Sequence, residues 1–228
     1  LIKKINKINI YLDKINKNTI NSYIHLLNSI NMVKDLGNEP GNILNPDTYI
    51  DFIKKRGKES GFSVKIIDEK EMKKLGMDMF LSVANGSKYP GYLVEINYKN
   101  IDRKRKKQVL IGKGITFDSG GLSLKKTAHM MDMKTDMLGS ATVLGIIDYL
   151  SKMKCNENII GLLAIAENMI GNNATRPGDI IKSYSGKYIE IMDTDAEGRL
   201  VLGDSITYAE KMDPEVIIDI ATLTGQQE

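Results

Sequence analysis

The stretch NIIGLLAIAENM, residues 158–169, is almost wholly apolar up to Ala166 and then turns polar at Glu167 and Asn168. It lacks the alternation of a strand with one wet face, so it reads as a strand buried on both faces. Such strands belong to sheets that carry helices on either side. The flanking sequence fits that reading. MLGSATVLGIIDYLSKM (137–153) predicts a helix rich in small residues, while FSVKIID (62–68), GYLVEINY (91–98) and KQVLIGKG (107–114) read as strands. Downstream, GKYIEIMD (186–193) alternates and predicts a strand, DSITYAEKM (204–212) a helix, and EVIIDIATLTG (215–225) a second buried strand. Toward the amino end, Ile20, Ile24, Leu27, Ile30 and Val33 recur at helical spacing and predict a helix ending at Gly37. NPDTYIDFIKKRGKESG (45–61) predicts another, with Asn45 as cap and Pro46 in the first turn. Residues 1–18 repeat Lys-Ile-Asn three times and read as compositional bias over a strand or loop. Strands and helices alternate over short connections. The expected class is α/β, with a mixed, largely parallel sheet covered by helices on both faces.

The chain has 228 residues, 42% of them hydrophobic, which is ample for a core in one large domain or two small ones. No linker rich in Pro, Gly or Ser divides it. Its net charge of +3, from 32 basic and 29 acidic residues, makes no case for nucleic acid. No apolar run approaches the roughly 18 residues that span a bilayer. The lone Cys155 cannot form an internal disulfide, which suits a reducing compartment. Only two histidines occur, His25 on an apolar helical pattern and His129 in a turn-like stretch. A metal site built mainly on imidazole is therefore excluded, and any bound ion needs mostly oxygen ligands.

Two charged stretches follow predicted strands, where ligands of α/β sheets bind. GKGITFDSGG (112–121) fails as a phosphate loop, because Gly114 follows Lys113 and Phe117 takes the place of a third glycine. In IMDTDAEGRLVLGD (191–204), Asp193, Asp195 and Glu197 fall on every second residue and Arg199 follows. Counted as a calcium loop, these acids take positions one, three and five, with Gly198 at six, Leu200 at eight and Asp204 at twelve. The preceding strand pattern argues against that reading, since a calcium loop needs an entering helix. A plainer alternative makes Asp195 or Asp204 a helix cap. In an extended segment residues 193, 195, 197 and 199 share one side. Together with Lys113, Asp118 and Asp136, residues Asp195 and Glu197 would build an oxygen-rich site with one amine. Four carboxylates suit two divalent cations.

GKGITFDSGGLSLK, MKTDMLGSATVLG, AENMIGNNATRPGDI and DTDAEGRLVLGDS resemble the signature stretches of the leucyl aminopeptidase family of metallopeptidases, in the family's order. KDLGNEPGNILNPD resembles the entry to its catalytic domain, and the likeness runs from about residue 32 to Gly225. The resemblance implies that Asp118 and Glu197 bridge two ions (Zn²⁺ or Mn²⁺), that Asp136 is a terminal ligand, and that Asp195 binds the second ion. Lys113 is similar to the family's amine ligand. Lys125 would stay cationic and stabilise the oxyanion. Arg199, with the backbone near Ala196, Gly198 and Leu200, would hold a bicarbonate. Met133, Thr222 and Gly225 match positions lining the pocket for the N-terminal side chain.

The implied activity is removal of the N-terminal residue, with leucine-type preference, from peptides with a free N-terminus by a cytoplasmic homo-hexamer. Residues 32–228 would form the catalytic domain, incomplete at its C-terminus, with residues 1–31 leading into it. An inactive homologue or a DNA-binding role are the alternatives. Asp193 stands where the family usually has Asn, Lys126 replaces a common proline, and Leu138 replaces a small residue.

Overall fold

The computed structural model describes residues 16–98 and 104–224. In chain order these form helices α1 (Lys17–Asn38) and α2 (Pro46–Ser60), strand β1 (Phe62–Ile67), and helices α3 (Glu69–Leu75) and α4 (Asp78–Ala84). Strands β2 (Tyr92–Tyr98) and β3 (Gln108–Asp118) follow, then helices α5 (Thr127–Met130) and α6 (Leu138–Met153). Strands β4 (Ile159–Asn168), β5 (Ile180–Lys182) and β6 (Tyr188–Glu190), helix α7 (Glu197–Glu210) and strand β7 (Val216–Ile220) complete the order. The main sheet has five strands in the order β1-β2-β4-β3-β7. β4, β3 and β7 pair in parallel, and only β2 runs against the rest, so the sheet is mixed and mostly parallel.

The absence of alternation in residues 158–169 has a direct cause. Leu162, Ala164 and Ala166 face a core shared with Phe80 of α4 and Val201 of α7. Leu163 and Ile165 face the opposite core, shared with Met32 of α1, Ile53 of α2 and Leu144 of α6. Both faces of β4 are therefore dry, and neither selects polar residues. The helices on the second face are held by a buried charge. Asp148 of α6 is fully buried and accepts from Arg56 (2.8 and 3.0 Å), Ser60 (2.5 Å), Ser29 (2.7 Å) and Lys152 (3.0 Å). One carboxylate thereby ties α1, α2 and α6 together.

Two glycines let α6 begin directly over the sheet. A Cβ on Gly112 of β3 would stand 2.4 Å from Ser140 Cα, and one on Gly139 would stand 2.1 Å from the Ile220 carbonyl oxygen. The approach brings Asp136, just before α6, over Lys113 of β3.

Several expectations need correction. Residues 1–15 lie outside the described residues, but Lys17 and Asn18 are helical and not strand or loop, with Asn16 capping them at 3.0 Å. The apolar stripe Ile20, Ile24, Leu27 and Ile30 is exposed, and Ser29, Met32 and Leu36 form the buried side instead. β3 runs to Asp118, so GKGITFD lies within the strand and not after it. β6 is three residues long and, among the described residues, pairs with β5 alone, apart from the main sheet. β7 is an edge strand with Val216 39% and Ile218 46% exposed, not a strand buried on both faces among the described residues. Finally, α7 starts at Glu197, so residues 193–199 are not one extended segment. Here tertiary packing overrides a glycine-containing sequence. A Cβ on Gly203 would stand 2.4 Å from Met79 Cε, and one on Gly198 would stand 2.9 Å from Lys113 Nζ. The glycines bring the helix close against α4 and β3.

Candidate metal centre

The carboxyl end of β3, the turn before α6 and the start of α7 meet at one buried cluster. Lys113, 2% exposed, places Nζ 2.7 Å from Glu197 Oε1 and 2.9 Å from Asp136 Oδ2, and donates to the Thr222 carbonyl at 2.9 Å. Thr222 also donates its hydroxyl to Asp136 Oδ1 at 2.6 Å. Lys125 places Nζ 2.9 Å from Asp118 Oδ2 and pairs with Asp195 Oδ1. Asp118, Asp195 and Glu197 each offer an oxygen within 4.8 Å of the others. Five predicted ligands and Lys125 are thus brought together.

The cluster holds four carboxylates against two ammonium groups. Burial, only partly offset by Lys113, pushes the Asp136 carboxyl up to about 6. Burial, with Asp118 and Asp136 adding repulsion against the pull of Lys113, pushes Glu197 up to about 7. Burial also raises Asp195, more than Lys125 offsets. Burial alone would lower the Lys113 pKa, but Glu197 and Asp136 raise it above its ordinary value. Lys125 is raised in the same way by Asp195 and Asp118 against its own burial.

The hydrogen bonding is also unfinished. Among the described residues, Glu197 Oε2 is buried with no partner, while Asp136 Oδ2 and Asp195 Oδ1 have an ammonium nearby but no well-directed hydrogen bond. Buried polar atoms are rarely left so without a reason. Excess negative charge, orphaned oxygens and a donor set almost entirely of oxygen fit hard or borderline divalent cations.

The remaining predicted residues divide. Arg199 is exposed in the first turn of α7 and forms no ion pair among the described residues. Ala196 is half-buried at the N-cap, where no side chain caps the helix, and Gly198 and Leu200 are buried. Met133 is half-buried in a 3-10 turn, Met133–Thr135. Gly225 lies outside the described residues. The calcium-loop reading fails outright, because Leu200 and Asp204 lie inside α7. Asp204 is fully buried and accepts from Phe80 N at 2.9 Å and Tyr184 N at 2.8 Å. It satisfies the first turn of α4, close to the plainer capping alternative. Asp193 closes its own turn by accepting from Asp195 N at 2.9 Å.

Sequence reasoning missed Asn168 and Thr194. Asn168 donates to Asp118 Oδ1 at 2.8 Å and to the Thr194 carbonyl at 3.0 Å. The signal was available in the abrupt turn to polar residues that ends the apolar run of β4.

The profile of the cytosol aminopeptidase family's catalytic domain matches residues 31–228. The chain belongs to the cytosol aminopeptidase family. Among similar members, the probable cytosol aminopeptidase of Azoarcus sp. (strain BH72) is 50% identical over 194 residues, covering 85% of this chain and 39% of its own length. The cytosol aminopeptidase of Pseudomonas aeruginosa (strain PAO1) is 47% identical over 201 residues, 88% of this chain and 41% of its own. That of Hamiltonella defensa, named a probable cytosol aminopeptidase, is 48% identical over 206 residues, 89% and 41% respectively. The chain spans about two fifths of the length of these family members. Among the described residues, no helix is long and apolar enough to cross a membrane.

Proposed function

We propose that the protein is a metal-dependent aminopeptidase whose centre holds two divalent ions, Zn²⁺ or Mn²⁺. The observation that carries this reading is the convergence of Asp118, Asp195 and Glu197 within 4.8 Å, with Glu197 Oε2 buried and unpartnered, in a member of the cytosol aminopeptidase family. Asp118 and Glu197 would be shared between the ions, with Asp195 completing one and Asp136 and Lys113 the other. Such ions supply Lewis acidity and a water acidified toward neutral pH.

The chain's own groups complete the chemistry. Lys113 serves as a ligand only after losing its proton, which nearby cations promote. Lys125 keeps its proton and donates to the oxyanion that develops on the scissile carbonyl. The uncapped start of α7, with Arg199 in its first turn, suits an anion. Bicarbonate held there by Arg199 and the backbone of Ala196, Gly198 and Leu200 would supply a proton acceptor. Met133, Thr222 and Gly225 would line the pocket for the N-terminal side chain, with leucine-type preference.

The substrates are peptides with a free N-terminus, acted on by a cytoplasmic homo-hexamer, and residues 32–228 act as the catalytic domain with residues 1–31 leading into it. The test is hydrolysis of leucine p-nitroanilide by protein stripped and then reloaded with Mn²⁺ or Zn²⁺. Metal-dependent release from the free amide and none from its N-acetyl derivative is expected. Failure of the reloaded protein to cleave any unblocked aminoacyl amide overturns the reading.

A further inference from the structure

We infer that Asn168 is a positioning residue that fixes Asp118 and the Asp195-bearing turn at one mutual spacing. The inference rests on the reading of the carboxylate cluster as a metal centre. Asn168 is 4% exposed at the end of β4, in register with Asp118 of β3. Its side-chain nitrogen donates both hydrogens, one to Asp118 Oδ1 at 2.8 Å and one to the Thr194 carbonyl at 3.0 Å. Both partners are pure acceptors, so the amide has only one workable orientation.

The surroundings show what those two bonds accomplish. Asp118 Oδ1 also accepts from Gly120 N at 2.8 Å, which leaves Oδ2 as the oxygen turned toward the cationic position that Lys125 Nζ now approaches. The Asn168 carbonyl accepts from Ser119 N at 2.9 Å and from Ser119 Oγ at 2.8 Å, locking the strand end to the following loop. Thr194 closes the far side. It donates its hydroxyl to the Gly120 carbonyl at 2.6 Å and accepts from Ser123 N at 2.8 Å, while its own N–H reaches Ser123 Oγ at 3.1 Å.

Asp118 and Asp195 belong to segments 77 residues apart (195 minus 118), and Asn168 is a neutral side chain bonded to both segments at once, on the side of Asp118 opposite the Lys125 ammonium that also spans them. Without it, Asp118 keeps a single hydrogen bond on Oδ1, and the buried Thr194 carbonyl loses its donor. Outer partners of this kind orient metal ligands and typically govern 10–100-fold in affinity.

The experiment measures Mn²⁺ affinity by titration calorimetry in the metal-stripped protein. It compares wild type, Asn168→Leu, Asp118→Asn and the double variant. Asn168→Leu keeps the side-chain size and removes both donors. The expected result is a 10–100-fold weaker Kd for Asn168→Leu and clearly less than the full multiplicative loss when it is added to Asp118→Asn, because one of the two bonds acts through that carboxylate while the other holds the Thr194 turn. An unchanged Kd, or a loss that multiplies independently in the double variant, overturns the inference. Asn168→Ser, whose hydroxyl is too short to span both acceptors, is measured in parallel, and whichever variant folds decides. A wild-type protein that binds no divalent ion overturns the metal reading itself and the inference with it. Wild-type binding matched by both Asn168 variants overturns the inference alone.

Discussion

Replacing Asp148 by Asn removes the one charge that holds α1 and α2 against α6. The carboxyl is buried, which by itself would raise its pKa. The Arg56 guanidinium, the Ser60 and Ser29 hydroxyls and the Lys152 ammonium overcome that and hold it at about 2, against an ordinary 3.8. That gap corresponds to about 2 kcal/mol of folding stability. An acid held low in the folded state contributes fully above its ordinary pKa and loses the contribution as pH falls through the folded value. The window is therefore roughly pH 4 to 2, and about half should remain near pH 3. Urea unfolding of wild type and Asp148→Asn, each with chelator at pH 6 and pH 3, isolates the effect because subtraction removes titrations common to both. The variant should be less stable by about 2 kcal/mol at pH 6 and by roughly half that at pH 3. A stability difference independent of pH would show that the Asp148 charge is not what the cluster stabilises.

Lys125→Ala should lower kcat by roughly 10²–10³ while metal content stays normal, as for loss of an oxyanion donor; elemental analysis showing lost metal would make Lys125 structural to the centre. Arg199→Ala should lose activity that added bicarbonate affects less than it affects wild type, and an identical bicarbonate response would remove the anion site from α7. Gly139→Ala drives a Cβ to 2.1 Å from the Ile220 carbonyl oxygen, so the urea midpoint should fall by the equivalent of about 1–3 kcal/mol. An unchanged midpoint would mean that α6 does not rest on β7 as described.

β4 was legible because a strand buried on both faces announces itself by what it lacks, whereas β7, equally apolar in sequence, is an edge strand with Val216 and Ile218 exposed. NIIGLLAIAENM carries no polar face, and the two cores that cover it explain why. The start of α7 was not legible. Asp193, Asp195 and Glu197 alternate like a strand, and the glycines at 198 and 203 weaken any helical signal. The glycines are required by contacts with Lys113 and Met79, which no local pattern records. The stripe on α1 misled in the opposite way, since helical spacing is visible in sequence but the face that packs is chosen by the partner helix. Asp118, Asp195 and Glu197 could be singled out because crowded carboxylates demand a positive partner. Asn168 escaped notice because a neutral amide makes no such demand, and its role exists only through two acceptors on separate segments.

The reading of Glu197 as a carboxylate shared between two ions is tested most directly by counting ions. Elemental analysis of the protein equilibrated with Mn²⁺ or Zn²⁺ and freed of excess should give close to two per chain, about what four carboxylates and an amine can hold. Glu197→Ala should lose at least one. Retention of both ions by the variant, or a wild-type protein that holds none, would contradict the account.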